Sequence, residues 1–243
     1  MEKIQNGFVM EFVIDDKPCP YLPGKMAKTK YHLINNCTEK ECKSYVDHGW
    51  RRFGKLFFTP VCDGCDECKS MRIDVANFQM SRTMKRTMKK NADTKVVIRR
   101  PTLTSDHLNL YEKYHNRMNE KKQWNTERIS SSDYYNSFVD GYGTFGYEFL
   151  YIRDQKLIGV ALVDILPGGM SSIYCFYDHD YDKYSIGTFS VLKQIEYAKK
   201  MGIEYLYLGY WVEENKSLNY KSKYKPHEIL IEGFEFGEET IWR

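Results

Sequence analysis

Residues 173–211, IYCFYDHDYDKYSIGTFSVLKQIEYAKKMGIEYLYLGYW, contain the pattern that decides the fold. The stretch opens with residues 173–177, a run of β-branched and aromatic residues that is typical of a strand. After an acidic loop, apolar residues recur with helical periodicity until Gly202, and glycine commonly ends helices. Residues 205–208 form a second strand-like run. Strand, loop, helix and strand in this order predict a crossover between two strands of a mixed sheet.

The loop before this helix is rich in polar side chains. Ser185, Gly187 and Thr188 stand where a helix N-terminus presents free backbone N–H groups to an anion or an ester oxygen. A buried crossover with an ordinary helix cap would explain the same residues. Residues 177–184, however, carry three tyrosines and three aspartates, more than a solvated turn requires. We therefore expect a functional loop.

Length and composition indicate a soluble protein. The chain has 243 residues, enough for one large or two small domains, and 15% of them are aromatic. It contains no apolar run of 18 residues, and its N-terminus lacks the pattern of a signal peptide. We expect a cytoplasmic protein that does not bind membranes.

The charges are distributed unevenly along the chain. Residues 1–100 carry 20 Lys and Arg against 12 Asp and Glu, whereas residues 101–243 carry 16 against 21. Because a local excess of cations attracts polyanions, the first part is expected to face nucleic acid.

The excess of positive charge is densest in residues 81–100, with eight Lys and Arg against one Asp. Ser81 is a suitable N-cap for a helix in this segment. A solvated charged face is the plain alternative, but the charge asymmetry favours contact with RNA phosphates. The residues expected to make that contact are Lys85, Arg86 and Lys89.

Two adjacent arginines, Arg51 and Arg52, lie between the aromatic residues Trp50 and Phe53. Arginine binds carboxylates in a bidentate manner, and aromatic neighbours can stack on its guanidinium. The alternative is a surface hairpin with aromatic core residues and solvated arginines. The residues alone do not decide between these two interpretations.

The seven cysteines include the closely spaced set Cys62, Cys65 and Cys68, with Cys19 upstream. In a chain with cytoplasmic character this pattern argues against a disulfide scaffold. Four thiols have the ligand count of a tetrahedral zinc site or an iron–sulfur cluster. A tight turn with buried or idle thiols would give the same spacing.

Helical and strand-like segments alternate through the rest of the chain, which predicts an α+β fold. We place a boundary at Pro101, between an N-terminal basic, cysteine-containing domain (1–100) and a C-terminal domain with a mixed sheet (101–243). The predicted helices span residues 38–48, 104–121 and 131–139, and the predicted strands span residues 96–100, 146–153, 156–166 and 228–231.

Several separated motifs resemble one known family. They are CPYLPGK at 19–25, GWRRFG at 49–54, SRTMKR at 81–86, the stretch 173–211 and NYKSKYKPHEIL at 219–230. Their order and wording resemble the arginyl-tRNA–protein transferases, most closely the short bacterial branch that transfers leucine to proteins beginning with Asp or Glu. The resemblance covers nearly the whole chain.

The resemblance implies an aminoacyl-tRNA-dependent transferase whose protein products pass to the degradation machinery by the N-degron route. It also implies a catalytic half like that of the N-acetyltransferases, the GNAT fold. The short chain favours leucyl-tRNA as donor, with arginyl-tRNA as the alternative. No cofactor is required. The iron–sulfur cluster of the longer branch does not carry over simply, since Leu22 stands where a second cysteine would be, and His179 replaces a common proline.

The donor ester is already activated, so the expected roles are mainly positioning and proton transfer. An α-amine must lose a proton before it attacks, and Asp178, with Asp180 second, is expected to accept it. The backbone of residues 185–188 would stabilise the oxyanion. The acidic side chain of the acceptor would bind Arg51 or Arg52, with Lys221 in reserve, and the terminal adenosine of the tRNA would contact Tyr177 and Tyr210.

Two other classes of protein stay open from the sequence. One is an acetyl-CoA-dependent small-molecule acetyltransferase, although the segment DKYSIGT supplies only one glycine to a pyrophosphate loop. The other is a non-catalytic RNA-binding module with a cysteine knuckle, which would leave the polar central loop unexplained.

Overall fold

The structure is a computed structural model that describes residues 7–122 and 129–243. Its first part is a four-stranded antiparallel sheet in the order β1-β2-β4-β3. The strands are β1 (Phe8–Pro18), β2 (Met26–Ile34), β3 (Arg51–Phe53) and β4 (Leu56–Pro60). Helix α1 (Glu39–Asp47) begins at a capping box formed by Thr38 and Glu41 and lies within the predicted helix 38–48.

The larger sheet has eight strands in the order β12-β11-β5-β10-β9-β8-β7-β6. These are β5 (Lys69–Asp74), β6 (Lys95–Arg99), β7 (Gly146–Arg153), β8 (Lys156–Leu166), β9 (Gly169–Tyr177), β10 (Tyr205–Trp211), β11 (His227–Glu232) and β12 (Ile241–Trp242). The helices are α2 (Arg82–Lys90), α3 (Ser105–Lys122), α4 (Ser131–Phe138) and α5 (Ile186–Lys200), with short 3-10 helices at His179–Tyr184 and Asn219–Lys223. None of the helices in 7–122 and 129–243 is long and apolar enough to cross a bilayer.

Both faces of the larger sheet are covered by helices. On one face, α5 packs Phe189 and Leu192 into a cluster with strand residues such as Leu206. On the other face, α3 and α4 cover the sheet together with buried residues such as Tyr134 and Phe176. Burial on both faces explains why β8 reads as a nearly continuous apolar run.

The predicted crossover is confirmed, because β9 and β10 run parallel on either side of α5 in sequence. They pair only from Tyr205 opposite Gly169 to Tyr207 opposite Ser171. Beyond these residues β9 stays with β8 and β10 stays with β5. The space between residues 172–177 of β9 and 208–211 of β10 is here called the β9/β10 opening.

The predicted boundary at Pro101 does not separate two sheets. Strands β5 and β6 precede Pro101 in the chain, yet both belong to the eight-stranded sheet. The four-stranded sheet ends at Pro60. Strand pairing between distant segments decides this partition, and composition does not reveal which strands will pair.

Candidate functional site

Arg51 reaches from the small sheet into the β9/β10 opening. Its Nη1 donates to Ser171 Oγ at 3.1 Å, and its Nη2 donates to the carbonyl oxygen of Ser172. These acceptors lie at the point where β9 and β10 cease to pair. Arg51 therefore lies where hydrogen bonds between β9 and β10 would be found if the two strands continued to pair.

Lys221 lies on the β10 side of the opening. It lies in the 3-10 helix Asn219–Lys223, is 8% exposed, and donates from Nζ to the carbonyl oxygen of Tyr210 on β10. Burial and the nearby charge of Arg51 lower the pKa of Lys221 to about 7. Burial likewise lowers the pKa of Arg51.

Arg51, which is partly buried, and Lys221, which is buried, thus form a pair of basic groups, one held by β9 and one by β10. In residues 7–122 and 129–243, neither forms an ion pair with a carboxylate. Unpaired charges in an enclosed site are unfavourable, and a carboxylate between them would relieve the repulsion. The arrangement is suited to an acidic ligand.

Arg52 points elsewhere, so its expected role in ligand binding is wrong. Its Nε donates to Asp164 Oδ2 at 2.8 Å and its Nη2 to Asp164 Oδ1. Nη1 donates to the carbonyl oxygens of Gly54 and Gly141, and the guanidinium stacks on Tyr142 at 4.1 Å. Alternate residues of β3 face opposite sides, which explains why neighbours with one sequence pattern have different surroundings.

The start of α5 brings together a second set of predicted residues. Ser185 has φ +53° and makes no side-chain capping bond, so the N–H groups of the first turn stay available to another acceptor. Tyr177 packs beside Gly187, where an added Cβ would lie 3.3 Å from its ring. Thr188 Oγ1 accepts a hydrogen bond from Lys223 at 3.1 Å. Tyr177, Ser185, Gly187 and Thr188 thus lie together at the start of α5.

The acidic loop is fastened to α3. Lys113 pairs with Asp178 at 2.7 Å and with Asp180 at 2.5 Å, and Lys121 pairs with Asp182 at 3.2 Å. The contacts with Lys113 lower the pKa of Asp180, which makes its carboxylate a weaker proton acceptor. The sequence did not reveal these partners, because they lie more than 55 residues away along the chain.

Tyr210 is 7% exposed and donates from its hydroxyl to the carbonyl oxygen of Phe58 at 3.3 Å. Its ring is therefore not free to contact an adenosine, and that expectation is wrong. The carbonyl oxygen of Tyr210 instead holds Lys221. Tyr177 is only partly buried and keeps its candidate role.

Helix α2 displays its cations as predicted. Met84 is buried against the α5 side of the sheet, while Lys85, Arg86 and Lys89 are exposed. The cations of α3 and α5 make several ion pairs, such as Lys193 with Glu196. In the described part of the chain, Lys85, Arg86 and Lys89 make none. This helix offers unpaired positive charge to a polyanion.

The four cysteines of the predicted metal site lie on two neighbouring turns. Cys19 Sγ accepts from the backbone N–H of Leu22 and Cys62 Sγ from that of Lys28, both at 3.4 Å. Burial, with Cys19, Cys62 and Cys65 close by, raises the pKa of Cys68 to about 12. Across the described ranges, however, no three ligand side chains are arranged to hold a metal ion. The thiols therefore lie near one another, but in the described residues they are not arranged with the geometry of a metal site.

Sequence reasoning missed two residues of this site. Lys223 contacts Thr188, although the motif NYKSKYKPHEIL had drawn attention only to Lys221. Gly209 lies against Arg51, where an added Cβ would be 3.0 Å from Nε. The glycine in YLYLGYW is the only signal the sequence offered, because contacts with a residue far away in the chain leave no local pattern.

Comparison with known proteins identifies the class to which this fold and site belong. The family models described as "Arginine-tRNA-protein transferase, N terminus" and "Arginine-tRNA-protein transferase, C terminus" match residues 17–86 and 106–231. The chain belongs to this family of aminoacyltransferases.

Three relatives carry the name aspartate/glutamate leucyltransferase. The protein from Campylobacter jejuni subsp. jejuni serotype O:23/36 is 47% identical over 225 residues, 92% of this chain and 94% of its own length. The protein from Helicobacter hepaticus is 38% identical over 96% of this chain and 97% of its own length. That from Acinetobacter baumannii is 35% identical over 91% and 82%.

Solved structures show weaker likeness. L-PGS from Bacillus licheniformis has a TM-score of 0.45 and 12% identity, covering 70% of this chain and 50% of its own. FemX has a TM-score of 0.45 and 8% identity, covering 84% of this chain and 79% of its own. At these TM-scores neither structure supports a conclusion about this chain.

Proposed function

We propose that this chain, an aminoacyltransferase, joins leucine from leucyl-tRNA to the α-amine of proteins that begin with Asp or Glu, and that it does so at the β9/β10 opening. The name shared by relatives at up to 47% identity supports the reaction. The observation that carries the location is the pair formed by the partly buried Arg51 and the buried Lys221, which no carboxylate of the described residues neutralises.

The acceptor side chain binds between these two cations. Arg51 uses Nη1 and Nη2 on Ser171 and Ser172, and a guanidinium has five N–H donors, so further donors remain for a ligand. Lys221 has donors beyond the one engaged by Tyr210. An acidic side chain receives charge-assisted hydrogen bonds from both walls, whereas a neutral or basic side chain leaves the repulsion unrelieved. Selectivity follows from that difference.

The reaction converts an ester to an amide. The acceptor ammonium loses a proton, and its nitrogen attacks the ester carbonyl of the leucyl group. The tetrahedral intermediate expels the ribose oxygen, which takes up a proton to become a hydroxyl. Backbone N–H groups at residues 186–188, with Lys223 nearby, stabilise the developing oxyanion at the N-terminus of α5.

The proton acceptor is assigned to Asp178 first and to Asp180 second. Lys113 contacts Oδ1 of Asp178 and Oδ2 of Asp180, so the second oxygen of each carboxylate is the one assigned to take the proton. Asp178 is 15% exposed and Asp180 is 74% exposed. The more enclosed carboxylate of Asp178 is the better placed of the two to act away from bulk water.

The tRNA lies along α2 and reaches the opening at Tyr177. Support comes from the exposed, unpaired Lys85, Arg86 and Lys89, and from the position of Tyr177 beside the first turn of α5. Phosphate contacts of this kind give affinity that depends strongly on salt. The terminal adenosine contacts Tyr177, without help from the buried Tyr210.

We assign the remaining features on the same basis. The parallel, diverging pair β9 and β10 with α5 between them supports a GNAT-like catalytic part, and the reaction belongs in the cytoplasm, where its products enter protein degradation. Zinc or an iron–sulfur cluster at Cys19, Cys62, Cys65 and Cys68 stays a prediction. It is supported by the closeness of the thiols and opposed by the lack of coordination geometry, and no catalytic step uses it.

The test uses purified protein, a peptide beginning with Asp, a matched peptide beginning with Ala, and tRNA charged separately with labelled leucine or arginine. Label should move from leucyl-tRNA to the Asp peptide alone. Movement from arginyl-tRNA alone would replace the donor, which is the alternative within the family. Absence of transfer from both would remove the proposed function, and acetylation by acetyl-CoA would establish the small-molecule alternative.

A further inference from the structure

Gly209 occupies a special backbone position on β10. Its φ of +77° lies in the left-handed region, which residues with a side chain adopt only with strain. The register between β10 and β5 shifts here. Tyr207 pairs with Arg72 and Gly209 pairs with Met71, so β10 advances by two residues while β5 advances by one. Such a bulge turns the backbone and increases the local twist. The bulge therefore lies where β10 leaves β9.

The missing side chain of Gly209 makes room for the guanidinium of Arg51. A Cβ at this position would lie 3.0 Å from Nε, 3.2 Å from Cζ and 3.3 Å from Nη2 of Arg51. These atoms form the planar end of the Arg51 side chain, which would have to move by a few tenths of an ångström. Because Ser171 and Ser172 hold the same plane, such a movement strains those hydrogen bonds.

The residue after Gly209 completes the arrangement. The carbonyl oxygen of Tyr210 accepts the hydrogen bond from Lys221. Two consecutive residues of β10 thus set the places of both cations, one by leaving space and the other by offering an acceptor.

We propose that Gly209 is a positioning residue for acceptor selection: it fixes the depth of Arg51 in the β9/β10 opening, and so the spacing of the two cations that receive the N-terminal Asp or Glu carboxylate. This rests on the proposed function of Arg51 and Lys221. A methyl group at position 209 pushes the guanidinium off the β10 wall. The carboxylate then loses part of its hydrogen bonding, while the tRNA surface on α2 is unaffected.

The experiment measures KM separately for the Asp peptide and for leucyl-tRNA in Gly209→Ala. KM for the peptide should rise about tenfold or more, as expected when a charge-assisted hydrogen bond is lost, while KM for leucyl-tRNA stays within about twofold. Gly202→Ala is the matched control. Gly202 has φ +69° and an added Cβ there would meet nothing within 4 Å, so its variant shares the backbone strain but not the contact.

A double-mutant cycle with Arg51→Ala distinguishes positioning from general damage. If Gly209 acts through Arg51, Gly209→Ala adds no further rise in peptide KM to the Arg51→Ala variant. If Gly209→Ala alone does not fold, the double variant should regain part of the lost stability, because the clash is gone and only the backbone strain shared with Gly202→Ala stays. The inference would be overturned if the rise in peptide KM persists without Arg51, if Gly202→Ala shows an equal rise, or if removing Arg51 restores no stability to Gly209→Ala.

The failure of the underlying function gives a different result. If Arg51→Ala itself leaves peptide KM unchanged while the wild-type chain still transfers leucine, the proposed carboxylate site is wrong whatever Gly209 does. If Arg51→Ala raises peptide KM and Gly209→Ala does not, the role of Gly209 alone is refuted.

Discussion

Replacing Arg52 should lower the free energy of unfolding and leave substrate binding nearly unchanged. The side chains of Arg52 and Asp164 are 2% and 0% exposed, and two parallel N–H donors join them. Arg52→Ala leaves the Asp164 carboxylate buried beside the weak thiol donor of Cys42. Breaking a buried ion pair on one side typically costs about 3–5 kcal/mol, and the carbonyl oxygens of Gly54 and Gly141 also lose a donor.

Urea denaturation followed by fluorescence measures this loss. With an m value of about 3 kcal/mol/M, the midpoint should fall by about 1–2 M urea. Because a typical domain is stable by about 5–15 kcal/mol, the variant should still fold in buffer. Its folded form should keep nearly wild-type KM values for peptide and leucyl-tRNA, since Arg52 touches neither.

A paired replacement provides the control. Arg52→Met with Asp164→Leu removes both charges, and such replacements are often neutral or stabilising. The double variant should recover most of the lost stability. If Arg52→Ala keeps the wild-type midpoint but raises peptide KM, the structural role given to Arg52 is refuted and its earlier assignment to the acceptor returns.

Three further predictions concern charged groups of the site. The pKa of Lys221 is about 7 in the folded chain and about 10.5 when exposed, so the unfolded state binds the extra proton between these pH values and stability rises with pH across that window. Lys221→Met should remove this rise and add a few kcal/mol of stability at pH 7. Urea midpoints at pH 6, 8 and 9.5 measure both effects. If the stability of the variant depended on pH as strongly as that of the wild type, the prediction would be contradicted. Replacing Lys85, Arg86 and Lys89 by Gln should weaken tRNA binding and reduce the dependence of the binding constant on salt. Filter binding at several salt concentrations measures that dependence. An unaltered slope would show that α2 does not contact the tRNA. Asp178→Asn should lower kcat at pH 7 and lose less at pH 9, where the α-amine is already deprotonated, whereas an equal loss at both pH values would point to a role in holding the loop to Lys113.

Local patterns were sufficient to predict most of the elements. The N-cap at Ser81 was predicted because an N-cap satisfies N–H groups only a few residues away, and it is confirmed in α2. The β9–α5–β10 crossover followed from the change in apolar period and from Gly202. The family could be named from the order of motifs because each motif is a contiguous run.

Partners across the fold could not be predicted in this way. Arg51 and Arg52 share one sequence pattern, yet one enters the β9/β10 opening and the other is buried with Asp164, because successive residues of a strand face opposite sides. Lys113 holds Asp178 from a helix more than 60 residues earlier. Tyr210 was expected to contact the tRNA adenosine, and its side chain is buried.

The sequence by itself determined the elements, the crossover and the family, since these depend on periodicity, capping and contiguous motifs. The tertiary structure decided which charges are paired, which are left unpaired, and that β5 and β6 join the eight-stranded sheet. Those outcomes depend on the register of strands that are distant in the chain and on which side of the sheet each residue faces. Such residues come into contact only when the chain has folded and its layers have packed.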